Sequence, residues 1–168
     1  VSRRKTLLWD LDAAGGAAFL FGLERPVKQR AAGVFSGEKA AKKLIVPSGT
    51  KKLDVLPADA SLWSLESTFS QIGKKRRLAK IASSLSRDYE RIVLDCPPVL
   101  NEISTQVIRA ADVIVVPMPP SPLSARALEM IRDDIAGNHK NHPPILPVLS
   151  MVDARRTLHR TLRAEQPD

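Results

Sequence analysis

Apolar residues gather in four short consecutive runs, at 6–10 (TLLWD), 91–95 (RIVLD), 112–118 (DVIVVPM) and 145–151 (ILPVLSM), each bounded by charged or turn-forming residues. Consecutive rather than alternating apolar positions predict parallel strands covered on both faces. A weaker fifth run, KLDVLPA at 52–58, is expected to join them. Between the runs the period changes to that of a helix. Leu78, Ile81, Ala82 and Leu85 fall on one face, and Leu128, Ile131 and Ile135 on another, with Ser121–Pro122 as a start signal and Gly137 as a stop. Asn101 is placed to cap a helix carrying Ile103, Val107 and Ala110, and Leu158 and Leu162 lie four apart in a basic segment. Strand and helix alternate, which predicts an α/β fold: a doubly wound, mainly parallel sheet with helices on both faces. The segment 24–51 is less regular and reads as short helices and loops.

The chain has 168 residues, with no internal repeat and no linker-like tract, so 1–168 is expected to form a single domain. Only 4% of residues are aromatic, which disfavours a sandwich or barrel and suits a core of Leu, Ile, Val and Ala. Cys96 is the single cysteine, so no internal disulfide can form, and no Cys/His set has zinc spacing; a reducing, cytoplasmic setting follows. The apolar runs are too short to span a bilayer. A net charge of +8 favours polyanionic partners.

Candidate chemistry lies where the strands end, because ligands of open α/β sheets bind beyond the carboxyl ends of the strands. TLLWD continues as LD, placing Asp10 and Asp12 there, and RIVLD ends on Asp95, followed by Cys96, Pro97 and Pro98. An aspartate fixed at a strand end can hold a magnesium-bound water at a phosphate site. The same residue type also caps a following turn or helix, and each of these positions is open to that role. Cys96 reads as a half-buried packing residue, Trp9 and Trp63 as core or helix-face residues, and His139, His142 and His159 as loop or surface residues.

KTLLWDLDAAGG resembles the strand and D-x-D-P-Q-G-N motif of the ParA/MinD family of deviant Walker A P-loop ATPases. YERIVLDCPPVLNEISTQVIRAADVIVVPMPP is similar to that family's Walker B block, ILPVLSMVDARRTLHRTL to its later strand and turn, and KLDVLPADASLWSLE to its Pro-Ala strand end. The resemblance is strongest to the ParA partitioning branch and covers nearly the whole chain. It implies a P-loop NTPase-like fold with ATP and Mg²⁺ as cofactors. Asp12 would position the attacking water, Asp10 would be the first aspartate of the motif, and Asp95, beside Pro97, would hold Mg²⁺ through water.

The chain departs from the family in two places. AAGG stands where the family has P-Q-G-N, keeping only Gly15. The phosphate loop K-G-G-x-G-K-T and its strand, which the resemblance places before Asp10, do not occur in the sequence, and the chain is expected to be part of a longer ATPase. The resemblance further implies a bacterial, cytoplasmic, nucleoid-associated protein that partitions plasmids, chromosomes or protein cargo. It would act as a nucleotide-dependent homodimer on non-specific DNA, stimulated by a ParB-like partner and without a membrane partner. Arg156, Arg160 and Arg163 recur on one helical side and are the candidate DNA contacts. A non-enzymatic DNA- or protein-binding relative and a MinD-like division-site positioner are the alternatives. The second needs an amphipathic membrane helix, for which the C-terminal segment has few large apolar residues.

Overall fold

The computed structural model describes residues 3–23, 31–36, 38–64, 76–97, 101–139 and 141–164. They fall into two compact units, 1–110 and 111–168.

The first unit contains β1 (Thr6–Asp10), α1 (Gly16–Leu20), a 3-10 turn (Ala31–Ser36) and α2 (Glu38–Leu44). These are followed by β2 (Val46–Pro47), β3 (Leu53–Leu56), a second 3-10 turn (Ala60–Ser64), α3 (Arg77–Leu85), β4 (Arg91–Asp95) and α4 (Glu102–Ile108). The sheet order is β2-β3-β1-β4. β1 pairs in parallel with both β3 and β4, Thr6 lying beside Leu53 on one side and Arg91 on the other. β2 adds two antiparallel residues to β3.

β1 sits in the middle of these strands because it has the most to bury: Leu7 and Trp9 on one face are almost wholly enclosed. They meet Leu56, Leu78, Ile81, Leu85 and Ile103 in one core, where the Trp9 ring lies 6.1 Å from that of Phe35. The face of α3 set by helical spacing is the one that packs, with Leu78, Ile81 and Leu85 buried. β4 differs from the expected doubly covered strand. Its positions alternate and Val93 remains 49% exposed, so one face of β4, the last strand of this sheet among the described residues, is left open.

α4 starts as Asn101 predicts. The Asn101 side chain accepts from the Ser104 N–H at 3.1 Å, and the Asn101 N–H donates back to Ser104 Oγ at 2.6 Å. This reciprocal cap satisfies two amide donors that would otherwise lack intrahelical partners. Asn101→Ala is expected to lower unfolding free energy by about 1–2 kcal/mol in a urea titration, and Asn101→Ser by less than half of that.

The second unit pairs β5 (Ile114–Met118) in parallel with β6 (Ile145–Leu149), joined through α5 (Pro122–Asn138) and followed by α6 (Thr157–Ala164). Ser121 caps α5 by accepting from the Ser124 N–H at 3.1 Å, with Pro122 in the first turn. The predicted stop at Gly137 is overrun by one residue, to Asn138. Leu128 and Ile135 are buried. Val115, Leu146 and Val148, which share one face of the two strands, are each about half exposed.

Candidate active site

The carboxyl ends of β1 and β4 lie side by side. Asp10 is directly opposite Asp95 in the parallel register, and the Leu11 N–H donates to the Asp95 carbonyl at 2.8 Å, carrying the pairing one step past the strand. Adjacent strands are about 4.8 Å apart, so this register brings Asp10, Asp12, Asp95 and Pro97 to one end of one sheet.

The three aspartates differ in what they can do. Asp10 is 1% exposed, and both of its oxygens are committed to backbone: Oδ1 accepts from the Asp12 N–H at 3.0 Å and Oδ2 from the Ala17 N–H, in the first turn of α1, at 3.1 Å. Burial pushes its carboxyl up; the two amides oppose that, and the charges of Asp95 and Asp12 add to it. Asp10 therefore ties the end of β1 to the start of α1. Asp12 is only partly buried and spends one oxygen, Oδ1, on the Ala14 N–H at 3.0 Å. Gly15 closes this turn, its N–H donating to the Asp12 carbonyl at 2.9 Å, and does so at φ 71, where a side chain would be strained. That backbone requirement explains why Gly15 persists in an otherwise altered AAGG loop.

Asp95 is exposed, and its carboxylate takes no hydrogen bond from the described residues. Partial desolvation at the strand end pushes its carboxyl up, and the charge of Asp12 pushes it further. Among the described residues no group of three or more His, Cys, Asp or Glu could hold a metal ion by itself. The Asp95 carboxylate and the remaining oxygen of Asp12, which repel one another, nevertheless suit Mg²⁺, which takes one or two carboxylates and completes its shell with water and phosphate. The sign of the resulting pH dependence is defined. With its folded pKa raised above that of a free aspartate, Asp95 binds more protons folded than unfolded between the two, so stability falls as pH rises through that window. Asp95→Asn is expected to raise the thermal midpoint of the ligand-free chain at neutral pH, with the gain vanishing once the pH falls below the ordinary aspartate range. Added Mg²⁺ should shift the midpoint of the unchanged chain more than that of the variant.

Pro97 is half-buried beside Asp95, and Pro98 lies outside the described residues. One expectation for a nearby side chain is corrected, and the two tryptophans take the two places open to them. Cys96 is exposed rather than half-buried, because it follows the edge strand β4. Trp9 is core, whereas Trp63, on the second 3-10 turn, is 73% exposed.

In the second unit, Arg156, Arg160 and Arg163 are all exposed, and the Arg160 N–H donates to the Arg156 carbonyl, so the three follow one helical path. His159 corrects its reading as a surface residue. It is 7% exposed, and its Nδ1 accepts from the Asp153 N–H at 3.0 Å. Leu158, four residues before Leu162 on this helix, is 47% exposed. The helix is turned so that His159 faces inward, holding the loop in which Arg155 pairs with Asp153 at 3.0 Å.

An AAA domain family model (AAA_31) matches residues 2–146, a span that includes all three aspartates. The chain belongs to this family, in its ParA/MinD group. Among ParA/MinD relatives it is 26% identical over 161 residues to the sporulation initiation inhibitor protein Soj of Bacillus subtilis, covering 92% of this chain and 64% of Soj. It is 28% identical over 162 residues to the chromosome partitioning protein ParA of Caulobacter vibrioides, covering 92% of this chain and 61% of that protein. This chain thus spans less than two thirds of either relative. Its fold matches that of cobyrinic acid a,c-diamide synthase from Mycobacterium smegmatis, solved with a bound ATP analogue and magnesium. The TM-score is 0.83 at 24% identity, over 98% of this chain and 67% of that one. The ParA/MinD assignment and the α/β P-loop fold therefore stand on sequence and on architecture together.

Proposed function

We propose that this chain supplies the catalytic carboxylates of a ParA-like ATPase that partitions or positions plasmid, chromosome or protein cargo. The observation that carries this reading is the pairing of Asp10 with Asp95 at the strand ends, with Asp12 two residues on and near enough for its charge to push the Asp95 carboxyl up, and with one Asp12 oxygen left over after the Ala14 N–H is satisfied. Asp10 fixes the turn through its two amides. Asp12 would orient and accept a proton from the attacking water, and Asp95, with Pro97 stiffening the chain after it, would hold Mg²⁺ through water. Mg²⁺ would neutralise charge on the β- and γ-phosphates of ATP, where positioning and electrostatics supply most of the catalysis. Residues 1–168 are read as parts of one such ATPase domain.

On the same reading the protein dimerises on ATP and binds DNA without sequence preference, with Arg156, Arg160 and Arg163 contacting phosphate and a ParB-like partner stimulating turnover. A bacterial cytoplasmic location accords with it, and no described helix is long and apolar enough to cross a membrane. Equilibrium binding of ATP with and without Mg²⁺, followed by turnover in the full-length protein, tests the reading. Mg²⁺-dependent binding with hydrolysis supports it, and a full-length protein that binds no nucleotide is a non-enzymatic relative.

A further inference from the structure

The end of the first unit's sheet opposite the carboxylates has the reverse charge. β1, β3 and β4 run parallel and in register, so the residues leading into them reach one rim: Arg3 and Lys5 before β1, Lys51 and Lys52 before β3, and Arg87 with Arg91 at β4. All six are exposed. The acidic side chains nearby are engaged from within. Asp54 accepts from the Tyr89 hydroxyl at 2.8 Å, Glu90 from the Lys5 N–H at 2.8 Å, and Asp88 pairs with Lys42 at 2.8 Å. Lys42, and beyond it Lys5 and Arg87, hold the Asp88 carboxyl below its ordinary range, which places Lys5 and Arg87 around one point.

Two of the cations are also pre-positioned. Lys5 Nζ lies 4.7 Å from the centre of the Tyr89 ring, and Lys52 Nζ donates to the Arg3 carbonyl at 2.5 Å. Three strands side by side spread these charges over about 10 Å. None of the large exposed apolar side chains lies in the segments 3–6, 48–54 or 86–91 that form the rim. An amphipathic membrane-binding surface would need such residues beside its cations. A polar, cationic strip matches a partner that presents closely spaced phosphates and nothing apolar, as duplex DNA does with one charge per about 1.7 Å of its axis.

We propose that this rim is a second phosphate-binding surface for duplex nucleic acid, facing away from the nucleotide carboxylates and separate from Arg156, Arg160 and Arg163. The proposal rests on the reading that the chain binds DNA without sequence preference. A labelled random-sequence duplex, titrated with the full-length protein in the presence of ATP and Mg²⁺ at several salt concentrations, tests it. The triple variant Arg3→Gln, Lys51→Gln, Arg91→Gln is expected to weaken binding at least about tenfold at low salt. It should also reduce the slope of log K against log salt by about 2–3, since each phosphate contact contributes about 0.9.

Lys51→Glu, in an exposed turn, repeats the direction of the effect in a single substitution should the triple variant fold poorly. Unchanged affinity and slope in the rim variants, with a loss on replacing Arg156, Arg160 and Arg163 together, overturns the rim and leaves DNA binding intact. No binding of the duplex by the unchanged chain overturns both. Loss of binding to phosphatidylserine vesicles in the rim variants, with duplex binding unaltered, assigns the surface to a membrane and overturns the proposal.

Discussion

Asp12→Asn is expected to lower Mg²⁺-dependent ATP turnover of the full-length protein by about 10²–10⁴-fold, the range for removing a positioned acid–base group. The substitution separates chemistry from structure. Asparagine keeps the Oδ1 that accepts from the Ala14 N–H at 3.0 Å, so the turn and the thermal midpoint should be preserved. What it loses is the carboxylate charge and the ability to take a proton from water. ATP affinity should change far less than turnover. Turnover within a fewfold of the original would remove Asp12 from the chemistry and move attention to a group outside this chain's strand ends.

Asp10→Ala is expected to act in the opposite manner, lowering unfolding free energy by about 2–5 kcal/mol. The substitution strips the acceptor from two backbone amides, Asp12 N–H and Ala17 N–H, beside a side chain only 1% exposed. An unpaired buried donor costs about 1–3 kcal/mol. Removing a carboxylate charge that burial disfavours most, and Asp95 and Asp12 less strongly, offsets part of this. Asp10→Asn should fall between, because one of its two polar atoms becomes a donor facing an amide N–H. Chemical denaturation measures all three. A stable Asp10→Ala protein would mean that α1 is held to β1 by other contacts.

What could be read from the sequence follows from how locally each feature is encoded. β1 and β4 coincide with their apolar runs, and the caps at Asn101 and Ser121 form as their residue types predict, because these signals lie within a few residues of one another. That Asp10, Asp12 and Asp95 fall at one edge of the sheet was also legible, since parallel strands share a carboxyl edge, whereas the direct pairing of Asp10 with Asp95 was not. β2 was not, being two residues defined only by pairing with β3. The division of labour between Asp10 and Asp12 was equally hidden. Both are aspartates next to a strand, and only the path of the chain into α1 turns the first inward. The inward turn of His159 depends on a hydrogen bond to the backbone six residues earlier, which spacing of apolar residues cannot register.

β2 carries a consequence for behaviour in crowded solution. It is the edge of the sheet beyond β3, and half of its two-residue length is Pro47, which has no N–H to offer an incoming strand. An edge so short, with a missing donor, is a poor template for another chain's backbone. Addition of another chain's strand to this unit is thereby disfavoured on the β2 side.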